Sequence, residues 1–360
     1  MDNAAQKTLP PQITKLEEKI NSSKLPEDLH EKAAAMVERL KLIANEPTFF
    51  SELDASSKYI DWITSLPWYN STKDNLDLNH AKEVFDKHHY GLTDVKTKIL
   101  EYLSVMIMQE QRGVQDNKAH INHAPIISLV GLVGVGKTTI AYSIGEALGR
   151  KVERIPFGGM GKAAQLRGQS RYSPDAEPGL LVKALRRAGT NNPVILLDEI
   201  DRVSAEANAD IMGVLIELLD PEQNMHFSDH YIDHPFNLSN VLFIATSNNT
   251  KNISTAVLDR LEIIQMPSYS DDEKIKIAKD YLLPSILKES AMTPNDIVID
   301  NDVWVDIVRP LGYDSGIRSL KRVMQQLVRR VALFMLQGKI KPNQAFRITK
   351  ENLKYFVPQW

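Results

Sequence analysis

Between residues 126 and 266, five short apolar runs are separated by stretches of helical spacing. They are Ile126 to Val130, Val152 to Ile155, Val194 to Leu197, Val241 to Ala245 and Ile263 to Met266. Runs this short suit strands better than helices, and their lack of polar alternation calls for burial on both faces. Strand and helix repeating in this way predict an α/β fold, a parallel sheet flanked by helices.

The flanks read differently. Residues 10 to 65 have helical spacing: Ile13, Leu16 and Ile20 form one apolar face. Pro26 at a first turn, followed by Glu27 and Asp28, opens a second helix with Leu29, Ala33, Met36, Val37 and Leu40 on its face. Two amphipathic helices without a sheet partner predict an extended neck or a small bundle. After residue 268 the strands largely stop. Ser270 and Glu273 form a capping-box pattern ahead of Ile275, Ala278, Leu282 and Ile286. A long helix then carries Ile317, Leu320, Met324, Leu327, Val331 and Phe334 and ends near Gly338. A chain of 360 residues accommodates two or three domains. The expected division is 1–70 helical neck, 71–268 α/β domain and 269–360 helical domain.

Chemistry enters at Gly131-Leu132-Val133-Gly134-Val135-Gly136-Lys137-Thr138, which fits G-x-x-x-x-G-K-[ST]. Glycines let backbone N–H groups turn inward around phosphate oxygens. The following helix, with Ile140, Ile144 and Leu148 on one face and Gly149 at its end, aims its positive N-terminus at the same anion. Lys137 would reach the β- and γ-phosphates of ATP, and the Thr138 hydroxyl would ligate Mg²⁺. The nucleotide-binding set on this loop is Gly131, Gly134, Val135, Gly136, Lys137, Thr138 and Thr139.

The run Val194 to Leu197 ends in Asp198 and Glu199, about 60 residues beyond the P-loop. Adjacent carboxylates repel each other and serve no structural purpose at the end of a buried strand. An ATPase uses them: Asp198 holds Mg²⁺ and Glu199 polarises the attacking water. Asn248 follows another buried run and either senses the γ-phosphate and water or, with Asn249, makes a turn. Arg260 precedes the last run. It reads either as an arginine finger for a neighbouring subunit or as a surface arginine paired with Asp259 or Glu262. Arg318 opens the long helix, where a cation opposes the helix dipole, and this favours a ligand role.

Composition narrows the class. Hydrophobic residues make up 43% and charged residues 25%, an ordinary soluble balance. No apolar run approaches the roughly 18 residues of a membrane span. The start, Met1-Asp2-Asn3, lacks a secretory signal, and the first arginine is Arg39, unlike a mitochondrial presequence. A cytoplasmic protein is expected. Net charge is -3, which gives no electrostatic case for nucleic acid, and the absence of cysteine excludes disulfides and thiolate zinc sites.

Beyond the P-loop, the chain closely resembles the Lon protease family from about residue 12 onward. The blocks that carry the resemblance are Leu66-Pro67-Trp68, Asp74-Asn75-Leu76-Asp77-Leu78, His89-Tyr90-Gly91-Leu92, Leu219-Asp220-Pro221-Glu222-Gln223-Asn224, Phe227-Ser228-Asp229-His230-Tyr231 and Asp259-Arg260-Leu261-Glu262. The resemblance implies an AAA+ module with helical neck, large domain and helical lid, working as a hexameric homo-oligomer that uses ATP to pull unfolded polypeptide through a pore. It assigns Asn248 as first sensor, Arg260 as the finger in trans and Arg318 as second sensor, and places Tyr90 near the adenine.

Three departures from the Lon pattern stand out. No segment resembles the glycine-flanked serine motif of the Ser–Lys protease domain, expected beyond Trp360, and none resembles the large N-terminal substrate domain. Ser319 and Lys321 lie on the lid helix and form no dyad, so proteolysis is not expected of this chain, and a protease would work in trans. The pore-loop segment reads Gly168-Gln169-Ser170-Arg171-Tyr172-Ser173-Pro174-Asp175, with Tyr172 displaced by one position and no apolar grip beside it. Leu132 and Val133 replace P-loop prolines without touching phosphate. The expected activity is ATP hydrolysis coupled to polypeptide unfolding. The alternative is a regulatory or assembly protein that binds ATP and partners without translocating substrate. A DNA-handling protein would need a basic patch or recognition helix, and none is identified.

Overall fold

The computed structural model describes residues 11–111, 126–309, 316–339 and 345–357. The expectations drawn from Met1, Asp2, Asn3 and Trp360 fall outside these residues. In chain order the elements begin with helices α1 (Pro11–Ser22), α2 (Glu27–Leu42), α3 (Phe49–Ser65), α4 (Leu78–His88) and α5 (Thr93–Gln111). The α/β region follows as β1 (Ile126–Val130), α6 (Lys137–Leu148), β2 (Val152–Pro156), α7 (Ala164–Arg167), α8 (Leu180–Ala188), β3 (Val194–Asp198), α9 (Asn208–Leu219), α10 (Pro221–Asn224), β4 (Phe227–Asp229), β5 (His234–Phe236), β6 (Leu242–Ser247), α11 (Thr255–Leu258) and β7 (Leu261–Gln265). The last region holds α12 (Asp271–Ile277), α13 (Leu283–Glu289), β8 (Ile297–Ile299), α14 (Val303–Val308), α15 (Arg318–Leu336), β9 (Phe346–Ile348) and α16 (Lys350–Leu353).

All five apolar runs are strands of one parallel sheet in the order β2-β3-β6-β1-β7. The sheet is covered on both faces, and alternate residues of each strand enter different cores. Val194, Leu196, Leu242 and Ile244 join a cluster with α4, α5, α6 and the C-terminal helices. Ile195, Leu197, Phe243 and Ala245 join a second cluster with α8, α9 and the N-terminal helices. Register aligns the strand ends: Val130 lies opposite Ser247, and Leu197 opposite Ala245. The loops leaving β1, β3 and β6 therefore emerge side by side at the carboxyl edge, where open α/β sheets bind ligands.

The N-terminal region has three helices where the sequence pattern named two. The third buries Phe49, Leu53, Tyr59, Ile60 and Ile63. The three helices pack on one another and belong to the same buried cluster as the sheet's second face, so this region is joined to the α/β core. The Tyr59 hydroxyl donates to the Ile232 carbonyl at 2.9 Å, and Lys32 pairs with Asp233 at 2.8 Å.

In the C-terminal region the capping box of Ser270 and Glu273 is present, and α15 runs close to its expected span. The helix expected to continue through Leu282 and Ile286 instead passes through one π-turn, Ala278–Leu282, just before Pro284. Proline has no N–H to donate and its ring crowds the preceding turn, so the regular ladder breaks there. A short parallel pair, β8 with β9, ties the two ends of this region together.

Candidate active site

The P-loop leaves β1 and wraps the start of α6. Gly136 precedes the helix at φ +100°, a backbone open to glycine, and no side chain caps the first turn. The leading N–H groups of α6 thus face the loop's hollow without a side-chain acceptor, as an anion site requires. Val135 is fully buried, and its carbonyl accepts from the Tyr269 hydroxyl at 3.2 Å. The Thr139 hydroxyl donates to the Gly136 carbonyl at 2.7 Å. Thr138 is half-buried beside it.

Lys137 is folded into the loop. Its ammonium donates to the carbonyls of Gly131 and Leu132 at 2.5 and 3.0 Å and to Asn248 Oδ1 at 3.0 Å. Burial pushes its pKa below the usual lysine value, and the carboxylates of Asp201, Asp198 and Glu199 oppose that shift. The loops leaving β1 and β6 are thus joined through one cation and one amide.

Asp198 ends β3 almost fully buried. Arg154 on β2 donates to its Oδ2 through Nε at 2.7 Å and Nη2 at 2.6 Å, and the Thr246 hydroxyl donates to Oδ1 at 2.5 Å. Glu199 follows at φ +58°, a left-handed conformation unusual for a residue with a side chain. Its backbone N–H donates to the Thr246 hydroxyl at 3.0 Å, and its carboxylate lies against Gly158. Strain of this kind persists where surrounding contacts over-determine it, and such places are often functional. The turn that follows carries Asp201, which the sequence reading passed over although it stands three positions after Asp198. Arg154 was passed over as well, because a lone arginine in a strand carries no signal without its partner.

Arg318 is brought to the P-loop through its backbone. The Ile317 N–H donates to the Gly134 carbonyl at 3.1 Å. A Cβ on Gly316 would come within 2.5 Å of the Val133 carbonyl oxygen, so only glycine allows this approach. The Arg318 side chain is exposed and has no hydrogen-bond or ion-pair partner among the described residues.

Tyr90 lies in the turn between α4 and α5, half-buried against the first core cluster. That turn is pinned by buried His89, whose Nε2 lies 2.9 Å from the Ser143 hydroxyl on α6. Arg260 stands apart. It precedes β7 at the amino edge of the sheet, and its carbonyl accepts from the Ile126 N–H that opens β1. A five-residue strand, roughly 16 Å long, separates it from the P-loop. Its guanidinium pairs with Asp220 at 2.9 Å, in place of Asp259 or Glu262, and this contact holds the Asp220 carboxyl below its usual pKa.

Among the described residues no group of three or more His, Cys, Asp or Glu could hold a metal. Asp198 and Thr138 offer two oxygen donors, a set that suits Mg²⁺, which keeps most of its shell as water and phosphate. Also among the described residues, no helix is long and apolar enough to cross a membrane.

Residues 127–269 match the family model for the ATPase family associated with various cellular activities (AAA). The chain is 40% identical over 339 residues to a Lon protease of Desulforamulus reducens, covering 94% of this chain and 40% of that protein. It is 39% identical over 346 residues to a Lon protease of Lawsonia intracellularis, covering 96% and 40%. It is 41% identical over 310 residues to a Lon protease 2 of Thermus thermophilus, covering 85% and 38%. The chain spans about two fifths of the length of these relatives.

Proposed function

This chain is a Lon-related protein with an AAA domain, and on that premise we propose that it binds ATP with Mg²⁺ at the P-loop and hydrolyses the γ-phosphate bond. The observation that carries the reading is the junction of Lys137 with Asn248, which joins the P-loop to the β6 loop beside Asp198 and Glu199. In our reading residues 71–268 are the ATPase domain, 1–70 its neck and 269–360 its lid.

Lys137 and the N–H groups of α6 neutralise the phosphates, and Tyr90 flanks the adenine. Thr138 and Asp198 hold Mg²⁺, which draws charge from the phosphate oxygens when bound. Arg154 then has to share the Asp198 carboxylate. Glu199 orients the attacking water and takes its proton. Asn248 and Arg318 contact the terminal phosphate from the β6 loop and the lid. Arg260 sits a strand's length from its own P-loop, so it serves a neighbouring subunit in a ring, exchanging Asp220 for phosphate. Arg260→Ala should leave ATP binding intact but suppress turnover, and wild-type specific activity should rise with protein concentration. Concentration-independent activity in a demonstrably monomeric sample would sink the shared site.

By kinship with Lon proteases, we propose a hexameric homo-oligomer that works on unfolded polypeptide, with any protease acting in trans. A second reading, a nucleotide-dependent regulator that does not translocate, is favoured by the Tyr172 loop. There the Arg171 guanidinium sits 4.7 Å from the Tyr59 ring and 5.1 Å from the Tyr172 ring, fastening the loop to the neck. Steady-state ATPase measurements with and without an unfolded protein separate the two: stimulation supports translocation, and basal activity alone supports the regulator.

A further inference from the structure

Beyond Glu199 the chain makes a single tight turn, Ile200–Arg202, that carries Asp201 back under the loop leaving β6. Asp201 is 4% exposed. Its Oδ2 accepts from the Asn248 N–H at 3.1 Å, the Asn249 N–H at 3.3 Å and Asn249 Nδ2 at 3.3 Å. Its own carbonyl accepts from Asn252 Nδ2 at 3.2 Å. One buried carboxylate thus fixes the whole start of this loop.

Three N–H donors converge on one oxygen here, and a carboxylate makes charge-assisted bonds to them that a neutral hydroxyl or amide does not match. The second oxygen of Asp201, Oδ1, is buried without a partner among the described residues, and so is Asn248 Nδ2. The other end of the Asn248 amide is engaged, because its Oδ1 accepts from Lys137. The amide is therefore oriented, with its oxygen on the lysine and its N–H₂ group left to donate. Its orientation depends on where the Asn248 backbone is held, and Asp201 holds it.

We propose that Asp201 is a positioning residue for hydrolysis, holding Asn248 so that its amide spans Lys137 and the terminal phosphate. This rests on the ATPase reading above. Asp201 acts through Asn248, so the two losses should not multiply. Steady-state kinetics of Asp201→Ala, Asn248→Ala and the double variant test it, with binding of a fluorescent ADP analogue as the second readout. Asp201→Ala should lower kcat by roughly ten- to a hundredfold while KM for ATP and analogue affinity stay within about threefold. The double variant should match Asn248→Ala within about twofold. Asp201→Asn keeps the shape and one acceptor but not the charge, so a loss of about three- to tenfold is expected. If Asp201→Ala does not fold, the same cycle is run with Asp201→Asn. Multiplying losses, or an effect on KM alone, would overturn the proposal. A wild type with no ATP turnover would remove its premise instead, so the two failures are distinguishable.

Discussion

The P-loop and the loop between α7 and α8 are held in different ways. The P-loop is fixed from within: Lys137 folds back onto its own carbonyls, Gly136 turns the chain into α6, and Gly316 closes over Gly134. The loop between α7 and α8 is fixed firmly at its base, and near its tip only by Arg171 over the Tyr59 ring. Buried Asp229 accepts from the N–H groups of Gly179, Tyr231 and Ile232, and its oxygens sit where a Cβ on Gly168 would be. Burial still pushes the Asp229 pKa above its usual value. At the tip Tyr172 is 84% exposed, touched by Arg171 through its hydroxyl at 3.0 Å. A loop that binds one fixed anion can be rigid throughout. One that meets varied partners needs a firm base and a free end.

The strongest way to break this contrast is to attack the rigid loop. Lys137→Ala removes the cation proposed to face the phosphates and should weaken ATP binding by at least about a hundredfold in a direct titration. Wild-type affinity in that variant would end the assignment. Glu199→Gln keeps the loop intact, so binding should survive while turnover falls by roughly two to four decades. Unchanged turnover would move the catalytic role elsewhere.

The contrast also explains what could be read from the sequence. The strands were legible because a five-residue apolar run that must be buried on both faces has few alternatives, and their ends fell within two residues of the structure. Lys137 was legible as a candidate because the P-loop motif fixes its position, and Asp198 and Glu199 because two adjacent carboxylates close a buried apolar run. Asp201, Arg154 and Asp229 were not. Each is a charge whose meaning lies in a partner 44 to 50 residues away, or in backbone N–H groups that any residue could supply. The β4–β5 hairpin was missed for a related reason: Phe227 to Phe236 interleaves aromatics with charged residues and gives no clean alternation. The alternatives left open at Asn248 turned on context too. Its backbone makes the turn through Asp201, while its side-chain oxygen meets Lys137.

A smaller effect is expected from freeing the Tyr172 tip. A cation stacked on two tyrosines contributes about 0.5–2 kcal/mol, enough to change the docked population by roughly two- to thirtyfold. Arg171→Ala should leave basal ATPase activity within about twofold and raise its stimulation by an unfolded neutral protein several-fold over a weakly responding wild type. Strong stimulation of the wild type that disappears in Tyr172→Ala would mean the tip already grips and the latch does not restrain it.

The smallest effect concerns the rigid side, and pH reads it. Burial, with Lys96 and His88 adding to it, pushes the His89 pKa from 6.5 down to about 4, so the ring facing Ser143 is neutral in the fold. The unfolded chain takes up this proton first as pH falls. His89 therefore contributes stability fully present above pH 6.5, and that stability is lost progressively as pH drops towards 4. By pH 5 the loss from this one group should be about 2 kcal/mol. His234, beside the hairpin and also lowered by burial but opposed by Asp28, titrates in the same direction, so wild type alone cannot separate the two. His89→Gln keeps a polar head for Ser143 and leaves His234 in place. Denaturant unfolding of both proteins at pH 7 and pH 5 should show the wild type's advantage over the variant shrinking by about 2 kcal/mol at the lower pH. Parallel losses in the two proteins would mean that His89 is already solvated and that the turn carrying Tyr90 is looser than the P-loop helix beneath it.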